Sequence, residues 1–324
     1  MNSVAVVVPN WNGEDLLKEC IDSLLAQSLK NILIIVVENG SIDSSMTILN
    51  SYKKRIVVLP QKKNLGFTGG VNVGIRYAME QGVDYITLFN NDAIAEKDWL
   101  KQLCAALDKH EDAGIVTSKI LIQRTGRLDS TGDWYTTTGL PFPRGRDEVD
   151  KGQYDDKQIV FGASGGASMY RASLFQDIGI FDEDFFAYYE DVDVSFRAQL
   201  KGWKVRYEPA AIVYHKLSAT SSKLGNFTIR QSAKNFLLVA IKDLPLSLLV
   251  KFSPQIIYRY ARMFAARLIK GGAIDFLKGF FQALALLPKK LAERRSIQKN
   301  RTVSVAYIES IIYKGKPPLV EKTK

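Results

Sequence analysis

Between Gly165 and His215 the chain gathers residue types that move protons and hold metals. Phe181-Asp182-Glu183 is followed by Tyr188-Tyr189-Glu190-Asp191-Val192-Asp193, which opens a segment of helical character running from Asp191 to Lys201. Acids in a first helical turn are favoured by the helix dipole alone. The dipole does not ask for Phe185, Phe186, Tyr188 and Tyr189 just before them. A carboxylate framed by aromatic surface is shielded from water and tunable as a general base. His215 closes the set after the apolar run Ala211 to Tyr214, and imidazole beside carboxylate suits Mn²⁺-like metals. His110, in a polar helical segment, reads as structural.

Four further clusters offer groups to a ligand. Pro9-Asn10-Trp11-Asn12-Gly13 and Glu38-Asn39-Gly40-Ser41 offer a carboxylate and amides to a ribose or base edge, although Asn-Gly pairs are also routine turn formers. Asn64-Leu65-Gly66-Phe67-Thr68-Gly69-Gly70 precedes a helix beginning near Val71, whose N–H groups suit a phosphate. Its glycine spacing is neither that of a Walker loop nor of a dinucleotide fingerprint. Leu88-Phe89-Asn90-Asn91-Asp92 ends an apolar run in oxygen-bearing side chains, which suit Mg²⁺ or Mn²⁺ or, more plainly, a capped turn.

These clusters need a scaffold that brings loops to one edge. Val4 to Val8, Ile32 to Val37, Arg55 to Leu59 and Tyr85 to Phe89 read as strands, and Leu16 to Ala26, Ser44 to Tyr52 and Gly70 to Glu80 as helices between them. Uniformly apolar strands separated by helices predict a mostly parallel sheet covered on both faces, with ligands beyond the carboxyl ends of the strands. From about 120 to 165 the alternation fades into a variable loop region with room for a hairpin. Pattern returns at Gly165 to Tyr170, with further strands near Val205 and Ile212.

The charge of +10 is unevenly placed: residues 1–250 carry 28 Lys+Arg against 30 Asp+Glu, and residues 251–324 carry 16 against 4. This distribution argues against a nucleic-acid binder and makes the C-terminal quarter basic. Arg259, Arg262, Arg267 and Lys270 share a helical face within Ile256 to Lys270, and Phe276 to Leu287 is largely apolar before Pro288. Such helices suit the interface of an anionic membrane; the alternative is an ordinary helical pair packed on the catalytic domain or on a second copy of the chain. No apolar run is long enough to span a bilayer and no secretory signal is evident, which places the protein in the cytoplasm, peripheral on the inner face of the membrane. Cys20 and Cys104 are too few for a disulfide framework.

Taken in order, Val8-Pro9-Asn10-Trp11-Asn12, Val37-Glu38-Asn39-Gly40-Ser41, Asn64-Leu65-Gly66-Phe67, Asn90-Asn91-Asp92, Gly165-Gly166, Phe181-Asp182-Glu183, Glu190-Asp191-Val192-Asp193 and Tyr214-His215 resemble a family 2 glycosyltransferase, especially its bacterial rhamnosyltransferase-like branch, over residues 3–220. The resemblance implies an α/β fold of GT-A type: a single Rossmann-like domain with a mostly parallel central sheet over residues 1–225. A basic amphipathic helical extension over 226–300 and a tail over 301–324 would follow. It implies inversion, with Asp191 as base and Glu190 as runner-up, and a divalent cation on Asp92 and His215. Pro9, Asn10, Asn12, Glu38, Asn64, Gly66, Gly70 and Asn91 would bind the nucleoside-diphosphate sugar, and Gly165, Gly166 and Tyr189 the glycan or lipid-linked acceptor. The family usually has Asp where Glu38 stands and a more acidic motif where Asn90-Asn91-Asp92 stands. The sugar suggested is a deoxyhexose such as rhamnose from a dTDP donor. Competing readings are a non-catalytic nucleotide-sugar or glycan-binding subunit of an assembly complex and a Rossmann-type oxidoreductase; intact acids oppose the first and glycine spacing the second.

Overall fold

The computed structural model describes residues 2–216 and 225–315, so the far end of the tail, residues 316–324, and residues 217–224 before the extension lie outside the described residues. The first half alternates strand and helix: β1 (Val4–Asn10), α1 (Glu14–Leu25), β2 (Ile32–Glu38), α2 (Ser45–Ser51), β3 (Val57–Pro60), α3 (Gly66–Glu80) and β4 (Tyr85–Phe89). Then come β5 (Ala93–Ala95), α4 (Trp99–Lys109), β6 (Ala113–Ile122), β7 (Leu128–Ser130), β8 (Asp133–Tyr135), β9 (Pro141–Pro143), β10 (Ile159–Val160), β11 (Ala167–Arg171), α5 (Ala172–Ile178), α6 (Glu190–Leu200) and β12 (Lys204–His215).

The main sheet runs β10-β12-β6-β11-β4-β1-β2-β3, with β5 on β12 and β7 on β6. β4, β1, β2 and β3 are mutually parallel, β11 is antiparallel to both β4 and β6, and β6 is parallel to β12. The carboxyl ends of β1, β2, β4 and β12 therefore share one edge, where strand-end loops gather. Val4, Val6 and Val8 enter one core and Ala5 and Val7 the other, the two-residue period of a strand covered on both faces.

Two expectations shift. The tract 120–165 holds the expected hairpin, β8–β9, but it begins inside the ten-residue strand β6. The strands expected near Val205 and Ile212 are one strand, interrupted where Glu208 pairs with Ser118 and Ile212 with Lys119; Pro209 sits in the bulge, where its missing N–H costs no ladder bond. α3 also starts earlier than Val71, at Gly66, and it lies close to β1: a Cβ at Gly74 would strike Val7.

The C-terminal part forms α7 (Asn226–Asp243), α8 (Leu246–Lys270), α9 (Ala273–Lys299) and α10 (Val305–Ile311), with α9 running through Pro288. Among the described residues no helix is long and apolar enough to cross a membrane. Phe236, Val239, Phe252, Ile256 and Ala283 join Tyr135, Phe161, Phe185, Val192 and Phe196 in a third core cluster, which binds these helices to α6. Ion pairs reinforce the contact: Lys242 meets Asp182 and Asp193, each at 2.6 Å, and fully buried Lys290 meets Asp184 at 2.7 Å and Glu293 at 2.9 Å and also pairs with Asp182. Asp182, Asp184 and Glu293 have metal-ligand spacing, but the Lys290 ammonium fills their centre.

Candidate active site

Asp191 lies in the first turn of α6, half-buried. One carboxylate oxygen accepts the Gly165 N–H at 3.0 Å and the other the Val192 N–H at 2.9 Å. Burial raises its pKa, and these backbone bonds oppose the rise. Glu190 is more enclosed, with one carboxyl oxygen buried and unpartnered, and burial together with the Asp191 and Asp193 charges pushes its pKa well up. Asp193 is fully buried and committed to Arg197 and Lys242.

The turn before α6 is held in an uncommon backbone conformation. Phe186, Tyr188 and Tyr189 have φ of +63°, +70° and +69°, a region that costs a non-glycine residue roughly 1–3 kcal/mol. What holds them comes from α7. The fully buried Asn235 places its amide nitrogen 3.0, 2.8 and 2.6 Å from the carbonyl oxygens of Phe185, Ala187 and Tyr188. Lys234 donates to the Asp184 carbonyl at 2.6 Å, and burial pushes its ammonium down to about 8. The Tyr189 ring lies against the third core cluster.

Gly165 and Gly166 join Asp191 to the β4 turn. Gly165 touches Asp191 as above, and the Gly166 carbonyl accepts the Asn90 N–H at 2.9 Å. A Cβ at Gly166 would lie 3.0 Å from the Asn90 amide nitrogen. Two residues on, Asp92 Oδ1 lies 3.0 Å from His215 Nε2, because His215 pairs with Ala93 across β12 and β5. His215 Nδ1 lies 2.7 Å from Asp129 Oδ2, and Asp129 is itself paired with Arg146. Burial works against a charged imidazole here, but the hydrogen bonds to Asp129 and Asp92 outweigh it and carry its pKa up to about 9. A carboxylate on Nδ1 fixes the ring so that Nε2 faces Asp92, which is the donor arrangement of a carboxylate-oriented metal histidine. The residues present thus fit a divalent cation.

Among the expected donor-site residues, Asn10 is buried and accepts the Asn91 amide at 2.8 Å, tying the β1 and β4 loops together. Asn12 (φ +49°) accepts the Ile42 N–H at 2.9 Å, and Glu38 accepts the Ser41 N–H at 2.8 Å. Pro9 and Gly70 meet at the α3–β1 contact, where a Cβ on Gly70 would sit 3.6 Å from the Pro9 Cβ. The start of α3 is not an open phosphate cradle: the Leu65 N–H goes to Asn39 Oδ1 (3.0 Å), the Gly66 N–H to Asn64 Oδ1 (2.8 Å) and the Thr68 N–H to the Phe186 carbonyl (3.1 Å). These internal bonds satisfy donors that would otherwise be orphaned.

Sequence reasoning missed Asp129, Arg146 and Asp133. Asp133 carries a carboxyl pushed up to about 7 by burial and the Asp191 charge. All three lie in the tract read as variable, and the only local signal is a pair of acids, Asp129 and Asp133, around Gly132.

The profile described as Glycosyl transferase family 2 matches residues 5–179, more than half of the chain. The chain is 24% identical to an uncharacterized glycosyltransferase of Haemophilus influenzae, over 71% of each chain. It is 29% identical to one of Rickettsia prowazekii, over 60% of this chain and 58% of that one. It is 21% identical to a poly-beta-1,6-N-acetyl-D-glucosamine synthase of Staphylococcus aureus, over 71% of this chain and 54% of that one. In fold it resembles the mannosyltransferase PcManGT of Pyrobaculum calidifontis, solved with GDP-Man and Mn²⁺, at a TM-score of 0.57 and 14% identity, over 96% of this chain and 86% of that one. It also resembles S. aureus TarS residues 1–349 with UDP, at 0.53 and 17%, over 95% and 92%. These likenesses agree with the α/β architecture and its largely parallel central sheet.

Proposed function

The chain belongs to glycosyltransferase family 2, and we propose that it transfers a sugar with inversion from a nucleoside-diphosphate donor to a hydroxyl of a glycan or lipid-linked saccharide. The observation that carries this is the continuity of base and leaving-group ends: Asp191 on the Gly165 amide, and Gly166 on Asn90, two residues from the Asp92–His215 pair. The acceptor oxygen attacks the anomeric carbon, the bond from that carbon to the diphosphate oxygen breaks, and its electron pair leaves with the nucleoside diphosphate. The acceptor proton passes to Asp191, whose raised pKa makes it a better base than an ordinary carboxylate. Asp92 and His215 would hold a divalent cation, Mg²⁺ or Mn²⁺, which when bound supplies charge stabilisation to the departing diphosphate. The loops at Pro9–Asn12, Glu38, Asn64–Gly70 and Asn91 frame the donor; Gly165, Gly166 and the Tyr189 turn frame the acceptor.

The setting that suits this chemistry is cell-surface polysaccharide synthesis at the inner face of the membrane, with the basic α8–α9 surface toward anionic lipid. The sugar proposed is a deoxyhexose such as rhamnose from a dTDP donor, and a panel of nucleotide sugars tests it by hydrolysis. The test of the base is Asp191→Asn: transfer falls by at least 10²-fold while donor binding is kept. Full turnover by that folded variant removes Asp191 from the role.

A further inference from the structure

Most carboxyls around the Gly165–Gly166 bridge already have partners. Asp193 meets Arg197 and Lys242, Asp129 meets Arg146 and His215, Asp92 meets His215, and Glu190 is enclosed. Asp133, at the start of β8, is different. It is partly exposed, as Asp191 is, and among the described residues it makes no ion pair, the nearby Arg146 being committed to Asp129. Its Oδ1 lies 3.3 Å from the Ser130 hydroxyl, but that hydroxyl is also 3.2 Å from the Gly132 carbonyl, and its single proton serves one acceptor at a time. Oδ2 meets no donor among the described residues. A carboxylate half out of water without a cation is a cost, and asparagine would fill the same space without it. The backbone pairing of Asp133 with Gly162, at 2.8 and 3.1 Å, asks nothing of the side chain.

Its place gives the side chain a use. A Cβ on Gly162 would lie 3.7 Å from the Asp133 Cβ and 3.2 Å from the Ser195 Cβ, so Asp133 and Ser195 sit against the same glycine. Ser195 is one turn along α6 from Asp191, on the same helix face. Three residues after Gly162, a Cβ on Gly165 would lie 3.5 Å from the Asp191 Cβ. Residues 162–165 therefore run as one short segment with Asp133 against its first residue and Asp191 against its last. The charges are close enough to interact: burial and then the Asp191 charge push the Asp133 carboxyl up to about 7, with Asp129 adding to the rise and Ser130 and Arg146 opposing it. From β11 the Tyr170 hydroxyl lies within the field of both carboxylates.

We propose that Asp133 is a specificity-determining residue of the acceptor site, its free carboxylate oxygen accepting a hydrogen bond from a second hydroxyl of the sugar ring whose first hydroxyl Asp191 deprotonates. This rests on the reading of Asp191 as the base for an acceptor hydroxyl. A pyranose carries several hydroxyls on one ring, and two open carboxyls along one segment suit two of them. Asp191 takes a proton; Asp133 accepts a hydrogen bond and leaves the proton where it is. A site built to bond a hydroxyl rejects the sugar that lacks it, because the carboxylate is then left unpaired. An ionised acceptor makes the stronger bond, so recognition grows as pH rises through about 7.

The test uses the full chain with Mn²⁺ and whichever of dTDP, UDP and GDP it binds. Saturation-transfer NMR measures its affinity for the methyl glycosides of glucose, galactose, mannose and rhamnose and for their monodeoxy analogues. The wild type loses about tenfold or more in affinity for two deoxy analogues of its preferred glycoside, one for each carboxyl. Asp133→Asn cuts one of those losses to about threefold or less and keeps the other, and Asp191→Asn does the reverse. The preference that depends on Asp133 strengthens from pH 6 to 8. Asp133→Ser, smaller and uncharged, gives the same result and stands in where the asparagine variant does not fold. A purely structural role weakens every glycoside alike. Glycosides whose hydroxyl preferences survive in both Asp133 variants, or whose binding falls uniformly, overturn the proposal and leave Asp191 in place. Absence of glycoside binding by the wild type overturns the acceptor reading itself, and the role of Asp133 falls with it.

Discussion

Replacing Asn235 by leucine, nearly the same shape without the amide, should disable transfer while leaving the donor site in place. The side chain is fully buried, and its two N–H groups serve three carbonyls of the turn that carries Asp191. Each hydrogen bond contributes about 1 kcal/mol net, and each buried carbonyl left without a donor costs about 1–3 kcal/mol. Three left-handed residues in that turn add roughly 1–3 kcal/mol of strain apiece, which the amide restrains. Three carbonyls at that cost amount to about 3–9 kcal/mol of lost restraint, comparable to the roughly 3–9 kcal/mol of strain released, and the turn relaxes. Displacing the base by about 1 Å costs on the order of 10²-fold in rate. The loops at residues 9–13, 38–41 and 90–92 rest on other elements and only the start of α3 touches the turn, through the Thr68 N–H on the Phe186 carbonyl, so donor KM should change by no more than about tenfold while kcat falls about 100-fold. Asn235→Asp separates donor chemistry from packing: it keeps the shape but sets an acceptor against three carbonyls, and should be worse than leucine. Steady-state kinetics on folded protein decides. A leucine variant with kcat within twofold of wild type, or an aspartate variant that outperforms it, refutes the reasoning.

The clamp on His215 gives a pH signature. Its folded pKa, about 9, lies above the ordinary value, so in the metal-free chain its stabilising contribution is complete below about pH 6.5 and is lost as pH rises through 9; a melting-temperature series should show this decline and His215→Gln should flatten it. Because a metal takes the neutral ring, apparent Mn²⁺ affinity should rise from pH 7 to 9, and Asp129→Asn should lower it about 10–100-fold, read by metal titration. In the ion-pair network, burial opposes ionisation of Asp182 but Lys242 and Lys290 outweigh it and hold its carboxyl far below the usual range. Lys290→Met should cost about 3–5 kcal/mol at pH 7. Asp182 loses its contribution as pH falls below about 4, so the melting-temperature gap between variant and wild type should narrow there; a gap that stays constant down to pH 2.5 would exclude this origin.

What the sequence makes legible follows the range of the interactions involved. β1, β2 and β4 announce themselves because a strand buried on both faces is apolar at every position, and the polar residue ending each run marks the sheet's ligand edge. β6 and the short strands after it carry no such mark. Leu128–Ser130 is a strand only because it pairs with β6, so Asp129, which orients His215, takes its place from a partner the local sequence does not reveal. The early start of α3 is hidden by glycines that resemble a loop but serve close packing, Gly66 against Phe186 and Gly70 against Asn39.

The acids between 182 and 193 divide in a way that types and spacing cannot settle. Asp182, Asp184 and Asp193 answer lysines that lie some 50 to 110 residues later in the chain, and Glu190 is enclosed. Only Asp191 combines partial exposure with backbone donors that keep it oriented toward the Gly165–Gly166 bridge. The helices past residue 226 therefore do more than add a basic surface. Through Lys242 and Lys290 they neutralise the acids around Asp191, and through Lys234 and Asn235 they fix the turn that presents it. A chain ending near residue 225 would keep the strand-end loops that frame the donor. It would lose the carbonyl anchors of residues 184–188, leaving Asp182 and Asp193 as buried carboxylates with fewer cations to meet them, and the unmet charge would open the very turn on which the chemistry depends.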